Sequence, residues 1–299
     1  MRVGIIDLGT NTFNLLIADV STKGFTIIHQ SKNGVALGMG GITDRVIAPD
    51  AIERACAAFE QFAAIGATHH VEQWTGIATS AVRDAQNGVA FAQMLTHRFQ
   101  IPVHIIDGQA EAQLIYRGVS WNNPLADNAL IMDIGGGSTE FIQVAQGSIV
   151  QLCSLNIGVS RAFQQFACSD PLTTTQQQQL TDWFEAQATD LNAFQKGGRL
   201  IGASGSFETF YEMIHQLPFD PSLGSLHVDL KALSQKLDWI ISSTFEARSA
   251  HPWILPIRRK LAPIAALKTK WLIEKMAISE LVISPYSLKE GVLRSMVDA

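Results

Sequence analysis

The chain has 299 residues, 47% of them hydrophobic and 16% charged, which is apolar material for one large or two ordinary globular domains and excludes a disordered chain. Its net charge is −5 and the sequence shows no basic face of the kind nucleic-acid binders usually carry, so no DNA partner is expected, and the charge counts mildly against a very long polyanionic ligand. No apolar stretch reaches membrane-spanning length and residues 2–7 enter a strand at once, so neither a membrane nor a signal peptide is expected. Cys56, Cys153 and Cys168 are too few and scattered for a disulfide framework or a zinc site, and the expected compartment is the cytoplasm.

Residues 3–7 and 13–20 are β-branched runs joined by the polar turn Leu8-Gly9-Thr10-Asn11-Thr12, which predicts a β-hairpin. Residues 25–29 predict a third strand. Pro49 suits the first turn of a helix running to about Ile65, with Ile52, Ala55, Cys56, Phe59 and Phe62 at helical spacing. Cys56 then reads as a buried, inert thiol. A strand ends at Ile77 and Ala78, and Phe91, Met94, Leu95 and Phe99 form a helical stripe. Residues 103–107 predict another strand and residues 110–119 a helix, which Trp121-Asn122-Asn123-Pro124 stops. The expected domain boundary lies there, giving residues 1–122 and 123–299, with the closing helix at 287–299 free to pack back on the first.

The second half opens as the first does. Residues 129–133 predict a strand, Gly135-Gly136-Gly137-Ser138 a turn and residues 140–145 a returning strand. Aligning Asp7 with Asp133 puts Leu8 on Ile134, Gly9 on Gly135, Thr12 on Ser138, Phe13 on Thr139 and Leu15 on Phe141. This weak internal repeat predicts one strand–turn–strand unit used twice, in an α/β chain with two related lobes. Helices are expected at 174–194 and 230–245. A strand at 200–201 runs into Gly202-Ala203-Ser204-Gly205-Ser206 and a helix, and a last strand (281–284) and helix (288–297) close the chain.

Phosphate is held well by several inward-pointing backbone N–H groups, and glycine lets the backbone approach without a Cβ. Either turn alone reads best as a plain hairpin; two in equivalent frames, each after an aspartate near a strand end, favour phosphate cradles. In the third glycine element, amides at a helix N-terminus would meet an anion. Asp7 and Asp133 are costly to bury unless paired or metal-bound, with Asx-type turn support as the competing account. Glu140 competes with a solvated strand face shared with Gln143, and the helix dipole alone would account for Glu111. Arg83, in a loop after a strand, suits bidentate phosphate binding or a surface ion pair with Asp84 or a nearby acid.

Together Ile5-Ile6-Asp7-Leu8-Gly9-Thr10-Asn11-Thr12-Phe13, Ala78-Thr79-Ser80-Ala81-Val82-Arg83-Asp84-Ala85, Gly108-Gln109-Ala110-Glu111-Ala112, Asp133-Ile134-Gly135-Gly136-Gly137-Ser138-Thr139-Glu140, Gly202-Ala203-Ser204-Gly205-Ser206 and Ser287-Leu288-Lys289-Glu290-Gly291-Val292-Leu293 occur in the order seen in the exopolyphosphatase/guanosine pentaphosphate phosphohydrolase family. The resemblance covers essentially the whole chain. It implies two actin-like, ribonuclease H-like lobes with the site in the cleft between them. It further implies that Glu111 activates the attacking water, that Asp133, Gly135 and Glu140 hold magnesium and the terminal phosphate, and that Arg83 contacts phosphate. With the residue reading, the expected phosphate-binding set is Gly9, Thr10, Asn11, Thr12, Gly135, Gly136, Gly137, Ser138, Gly202, Ser204 and Gly205, and Asp7 joins Asp133 and Glu140 as a metal ligand.

The chain departs from the family pattern in three places. Ala110 stands where many relatives have a second glutamate, and residues 258–266 lack the glycine usual near there. The C-terminal histidine–aspartate phosphohydrolase domain of longer members is expected to be absent. The expected activity is release of terminal orthophosphate from polyphosphate or guanosine pentaphosphate, and guanosine tetraphosphate is also expected as a substrate. The competing readings are an ATP-dependent kinase or ATPase of the same fold group and a non-catalytic phosphate or alarmone sensor. A homodimer is left open.

Overall fold

In the computed structural model of the protein, residues 1–123, 125 and 127–298 are described; Pro124 of the predicted helix stop lies outside them. The chain divides into two units, Met1–Trp121 with Leu288–Ala299, and Asn122–Ser287.

In the first unit β1 (Arg2–Leu8), β2 (Phe13–Ser21) and β3 (Gly24–Asn33) pair antiparallel, while β4 (Gln73–Ala78) and β5 (Val103–Ile105) add in parallel, giving the order β3-β2-β1-β4-β5. That is the strand order of a ribonuclease H-like, actin-like lobe. Val3, Ile5, Ile6 and Leu8 of β1 are all buried, as a central strand covered on both faces requires. Helix α1 (Pro49–Thr68) starts on a proline and buries Ala51, Ala55, Cys56, Phe59 and Phe62 in a core with Ile6, Phe13 and Leu15. A single helical turn, α2 (Ser80–Arg83), follows β4, so Arg83 ends a short helix where a loop was predicted. Next come α3 (Gly88–Phe99) and α4 (Gly108–Asn122). The strand predicted to reach residue 107 stops at Ile105, because Asp107 caps α4 instead, its Oδ1 accepting the Ala110 amide at 2.7 Å.

The second unit repeats the plan. β6 (Ala129–Ile134), β7 (Thr139–Ala145) and β8 (Ser148–Leu155) are antiparallel, followed by α5 (Val159–Phe166) and α6 (Thr174–Gln187). β9 (Arg199–Gly202) lies parallel to β6 and leads into α7 (Gly205–His215). Then come β10 (Leu226–Val228), α8 (Leu230–Ser242), α9 (Phe245–Ala250), α10 (Ala262–Lys275) and β11 (Glu280–Ile283), in a sheet ordered β10-β11-β9-β6-β7-β8. The offset that carries Asp7 onto Asp133 also carries Ile17 onto Gln143, and each marks a register shift in its second strand pair. The repeat therefore extends from residue types to strand irregularities.

Both long predicted helices are shorter than expected. Residues 174–194 break at Ala188 into α6 and a short 3-10 segment, Thr189–Ala193. Residues 230–245 stop at Ser242, because Thr244 caps α9, its hydroxyl accepting the Ala247 amide at 3.2 Å. The final helix, α11 (Leu288–Val297), belongs to the first unit and packs on β1, β2 and β3.

Candidate active site

In the first unit, α2 and the first turn of α4 bring Arg83 and Glu111 together. Arg83 Nη1 donates to Glu111 Oε2 at 2.8 Å and to the carbonyl of Ile106 at 3.1 Å. Arg83 Nε also lies 3.8 Å from Asp84 Oδ1. Both side chains of the closer pair are largely buried, so Glu111 is a carboxylate aimed and held by an arginine, and the helix dipole no longer suffices to account for it.

Asp7 faces Asn14 across β1 and β2, and Asn14 Nδ2 donates to Asp7 Oδ2 at 2.9 Å. Desolvation pushes the Asp7 carboxyl up to about 6, against the Asn14 hydrogen bond and Lys289, which pull it down. Lys289 pairs with the buried Glu290 at 2.8 Å, and Gln30 Nε2 donates to the same carboxylate at 3.3 Å. The turn between the strands is closed by a bond from the Gly9 amide to the Thr12 carbonyl (3.1 Å). The Thr10 and Asn11 carbonyls accept the amides of Gly38 (3.0 Å) and Ala36 (2.8 Å). In a trans peptide the N–H points opposite to the preceding carbonyl, so the Asn11 and Thr12 amides face away from that loop.

The second unit uses the same device more densely. The Gly135 carbonyl accepts the Val159 amide (3.1 Å), that of Gly136 accepts Ser160 (2.8 Å) and Arg161 (3.2 Å), and that of Gly137 accepts Gly158 (3.1 Å). Arg161 Nε adds a further bond to the Gly137 carbonyl at 3.0 Å. The start of α5 thus holds every carbonyl of the glycine run, and the amides of Gly136, Gly137 and Ser138 face the other way. A Cβ on Gly158 would lie 2.2 Å from the Gly136 oxygen, so only glycine permits this approach.

Asp133 and Glu140 are direct cross-strand partners flanking that turn. Ser287 Oγ donates to Asp133 Oδ2 at 2.5 Å, and Ser154 Oγ donates to Glu140 Oε1 at 2.7 Å. Glu140 and Gln143 are 1% and 7% exposed, which overturns the solvated-strand-face account of both. Beneath the turn Lys268 of α10, fully buried, donates to Thr139 Oγ1 at 2.9 Å and to the Ile157 carbonyl. Burial pushes its ammonium down to about 7, opposed by the charge of Glu140.

At the third glycine element, β9 hands over to α7. Ser204 Oγ, at the α7 N-terminus, is buried with no hydrogen-bond partner among the described residues. The glycine-poor 258–266 stretch does reach this place: Arg258 donates to Thr209 Oγ1 (2.7 Å) and Glu208 Oε2 (2.9 Å), its guanidinium against Gly205.

The predicted residues thus gather within each unit. Asp7 and residues 9–12 share one hairpin, Arg83 and Glu111 form a pair, and Asp133, Glu140 and residues 135–138 share the second hairpin. Sequence reasoning missed Asn14, Ser154, Gly158 and Lys268, and quoted Ser287, Lys289 and Glu290 for the closing stretch without giving them a place at the site. The repeat alignment held a signal for one of them, since Asn14 falls on Glu140. Two hard oxygen donors beside an amide cradle fit magnesium, which binds through one or two carboxylates with waters and phosphate oxygens. Among the described residues no cluster of three or more His, Cys, Asp or Glu offers an all-protein cage.

Comparison with known proteins shows what the chain is similar to. The Ppx/GppA phosphatase family description matches residues 16–299. A bifunctional 3-dehydroquinate synthase/phosphatase of Fusobacterium nucleatum is 32% identical over 68% of this chain and 33% of that protein. A guanosine-5'-triphosphate,3'-diphosphate pyrophosphatase of Pseudoalteromonas translucida is 29% identical over 98% of this chain and 59% of that one. The chain thus spans about a third and under two thirds of these two relatives. The crystal structure of an exopolyphosphatase from Cytophaga hutchinsonii superposes with a TM-score of 0.94 at 32% identity, covering 100% of this chain and 98% of that one.

Proposed function

Because the chain belongs to the Ppx/GppA phosphatase family, we propose that it is a phosphohydrolase releasing terminal orthophosphate from inorganic polyphosphate or guanosine pentaphosphate. The observation that carries this reading is the 135–138 turn, whose three glycine carbonyls are all bonded from behind so that its amides aim one way. Oriented amides need no reorganisation when negative charge gathers on phosphate oxygens, and phosphoryl transfer is mostly positioning and charge stabilisation.

Glu111 is the proposed general base. Its carboxylate accepts a proton from water as the water oxygen attacks the terminal phosphorus; the P–O bond to the bridging oxygen breaks and the shortened chain leaves with that electron pair. Arg83 fixes Glu111 and, with its remaining N–H groups, steadies the transferred phosphoryl group. Residues 9–12 and the turn at Gly202, Ser204 and Gly205 are proposed further phosphate contacts. Asp133 and Glu140 would hold magnesium, with Asp7 as the third proposed carboxylate; a bound magnesium ion supplies neutralisation of non-bridging phosphate oxygens. The proposed location is the cytoplasm, in keeping with three free cysteines.

Phosphate release is to be measured in parallel on long polyphosphate, tripolyphosphate and guanosine pentaphosphate with magnesium. Turnover of at least one is expected. The reading fails if none turns over while ADP forms from ATP with a sugar-like acceptor, which marks a kinase, or while substrate binds tightly without turnover, which marks a sensor.

A further inference from the structure

Lys268 lies in α10, a helix whose residues Ala262 to Leu272 are nearly all buried, and it has no exposed surface. Removing an ammonium from water is costly even when paired, and a methionine or leucine of similar length would fill this space without that penalty. Packing therefore does not account for a lysine here. Its partners do. Thr139, whose hydroxyl accepts from Nζ at 2.9 Å, is the first residue of β7, directly after the 135–138 turn. Ile157, whose carbonyl accepts from the same Nζ, directly precedes Gly158, the first of the residues whose amides hold the glycine carbonyls. The Phe184 ring, its centre 5.3 Å from Nζ, closes a third side.

One ammonium thus spans the strand that leaves the turn and the segment that backs it. We propose that Lys268 is a positioning residue of the phosphate cradle, fixing the spacing between Thr139 and Ile157 so that the amides of Gly136, Gly137 and Ser138 converge on one anion. This rests on the functional reading above, with the 135–138 turn as its cradle. Lys268 touches no reacting atom; it acts through the backbone, where displacements of about 1 Å suffice to cost about a hundredfold in rate.

The test uses the full chain with magnesium and two substitutions at opposite ends of one hydrogen bond, Lys268→Met and Thr139→Val, with Thr139→Ser as the conservative variant. Three quantities are read: kcat and KM for tripolyphosphate, melting temperature, and hydrogen exchange of the 158–161 amides, which are bonded to the glycine carbonyls. Thr139→Val is expected to lower kcat/KM about tenfold or more and to speed exchange at those amides, with Thr139→Ser close to the parent chain. Lys268→Met should do the same or more; if it does not fold, Thr139→Val decides. A Thr139→Val chain with parental kcat, KM and amide exchange overturns the proposal. If the parent chain releases no phosphate from any substrate, the functional reading fails on its own, and amide exchange still decides whether Lys268 sets the cradle.

Discussion

The two hairpins share a backbone and differ in what surrounds it. In each, a strand carrying aspartate enters a turn where a Cβ on the first glycine, Gly9 or Gly135, would fall 2.8 Å from the carbonyl of the residue three positions on. Across the ladder, Asp7 meets Asn14, whereas Asp133 meets Glu140. The first turn is backed by two amides of an irregular loop; the second is backed by the start of a helix and underpinned by a buried lysine. The repeat has preserved the cradle while the side chains diverged. The second unit sets two carboxylates opposite each other, and the first keeps one carboxylate beside an amide, while the proposed acid–base pair, Glu111 and Arg83, lies on other elements.

If the second cradle is the more exacting, Gly158→Ala should have the larger effect of two glycine substitutions. Its Cβ meets backbone at 2.2–2.3 Å, which cannot yield without moving the turn, and a loss of about a hundredfold or more in kcat/KM is expected. In the first unit, Gly38→Ala meets side chains and no backbone, the Thr10 methyl at 2.5 Å and Ile42 Cδ1 at 3.3 Å, and should cost under about tenfold in the same assay. Equal effects would break the distinction.

The divergence at the carboxylates predicts a smaller contrast. Glu140→Gln should raise the magnesium concentration for half-maximal phosphate release about tenfold or more. Asn14→Ala should shift it by less than about threefold. A reversed order would assign the metal to the first hairpin.

The smallest expected effect is a pair of opposite pH slopes in the stability of the metal-free protein. Asp7 is raised to about 6 from 3.8, so between those values the folded chain binds more protons than the unfolded one, and stability falls as pH rises. Lys268 is lowered to about 7 from 10.5, so between those values the unfolded chain binds more protons, and stability rises with pH. Denaturant titrations of the parent chain against Asp7→Asn and Lys268→Met should therefore show differences of opposite sign, each below about 1.4 kcal/mol per pH unit.

Much of this was legible in the sequence for a physical reason. Strand runs interrupted by a glycine turn are local signals, and their recurrence in one frame located both hairpins, Asp7 and Asp133, while the role of Glu140 came from the family resemblance. α10 was not legible, because a helix buried around Ala262, Ala266, Lys268 and Thr269 has no polar face to give a period. Gly158 was passed over because its role lies in a contact with Gly136 and Gly137, far along the chain. Glu111 was underrated for the same reason, since the arginine that holds it comes from another element. The hydroxyls of Ser154 and Ser287 leave no mark in a sequence until folding sets them on a carboxylate.

The most direct test of the central claim is Glu111→Gln, assayed for phosphate release at saturating magnesium beside its melting temperature. The account predicts a folded chain with KM within about threefold of the parent and kcat lower by about a hundredfold to ten-thousandfold. A kcat near that of the parent chain would contradict it.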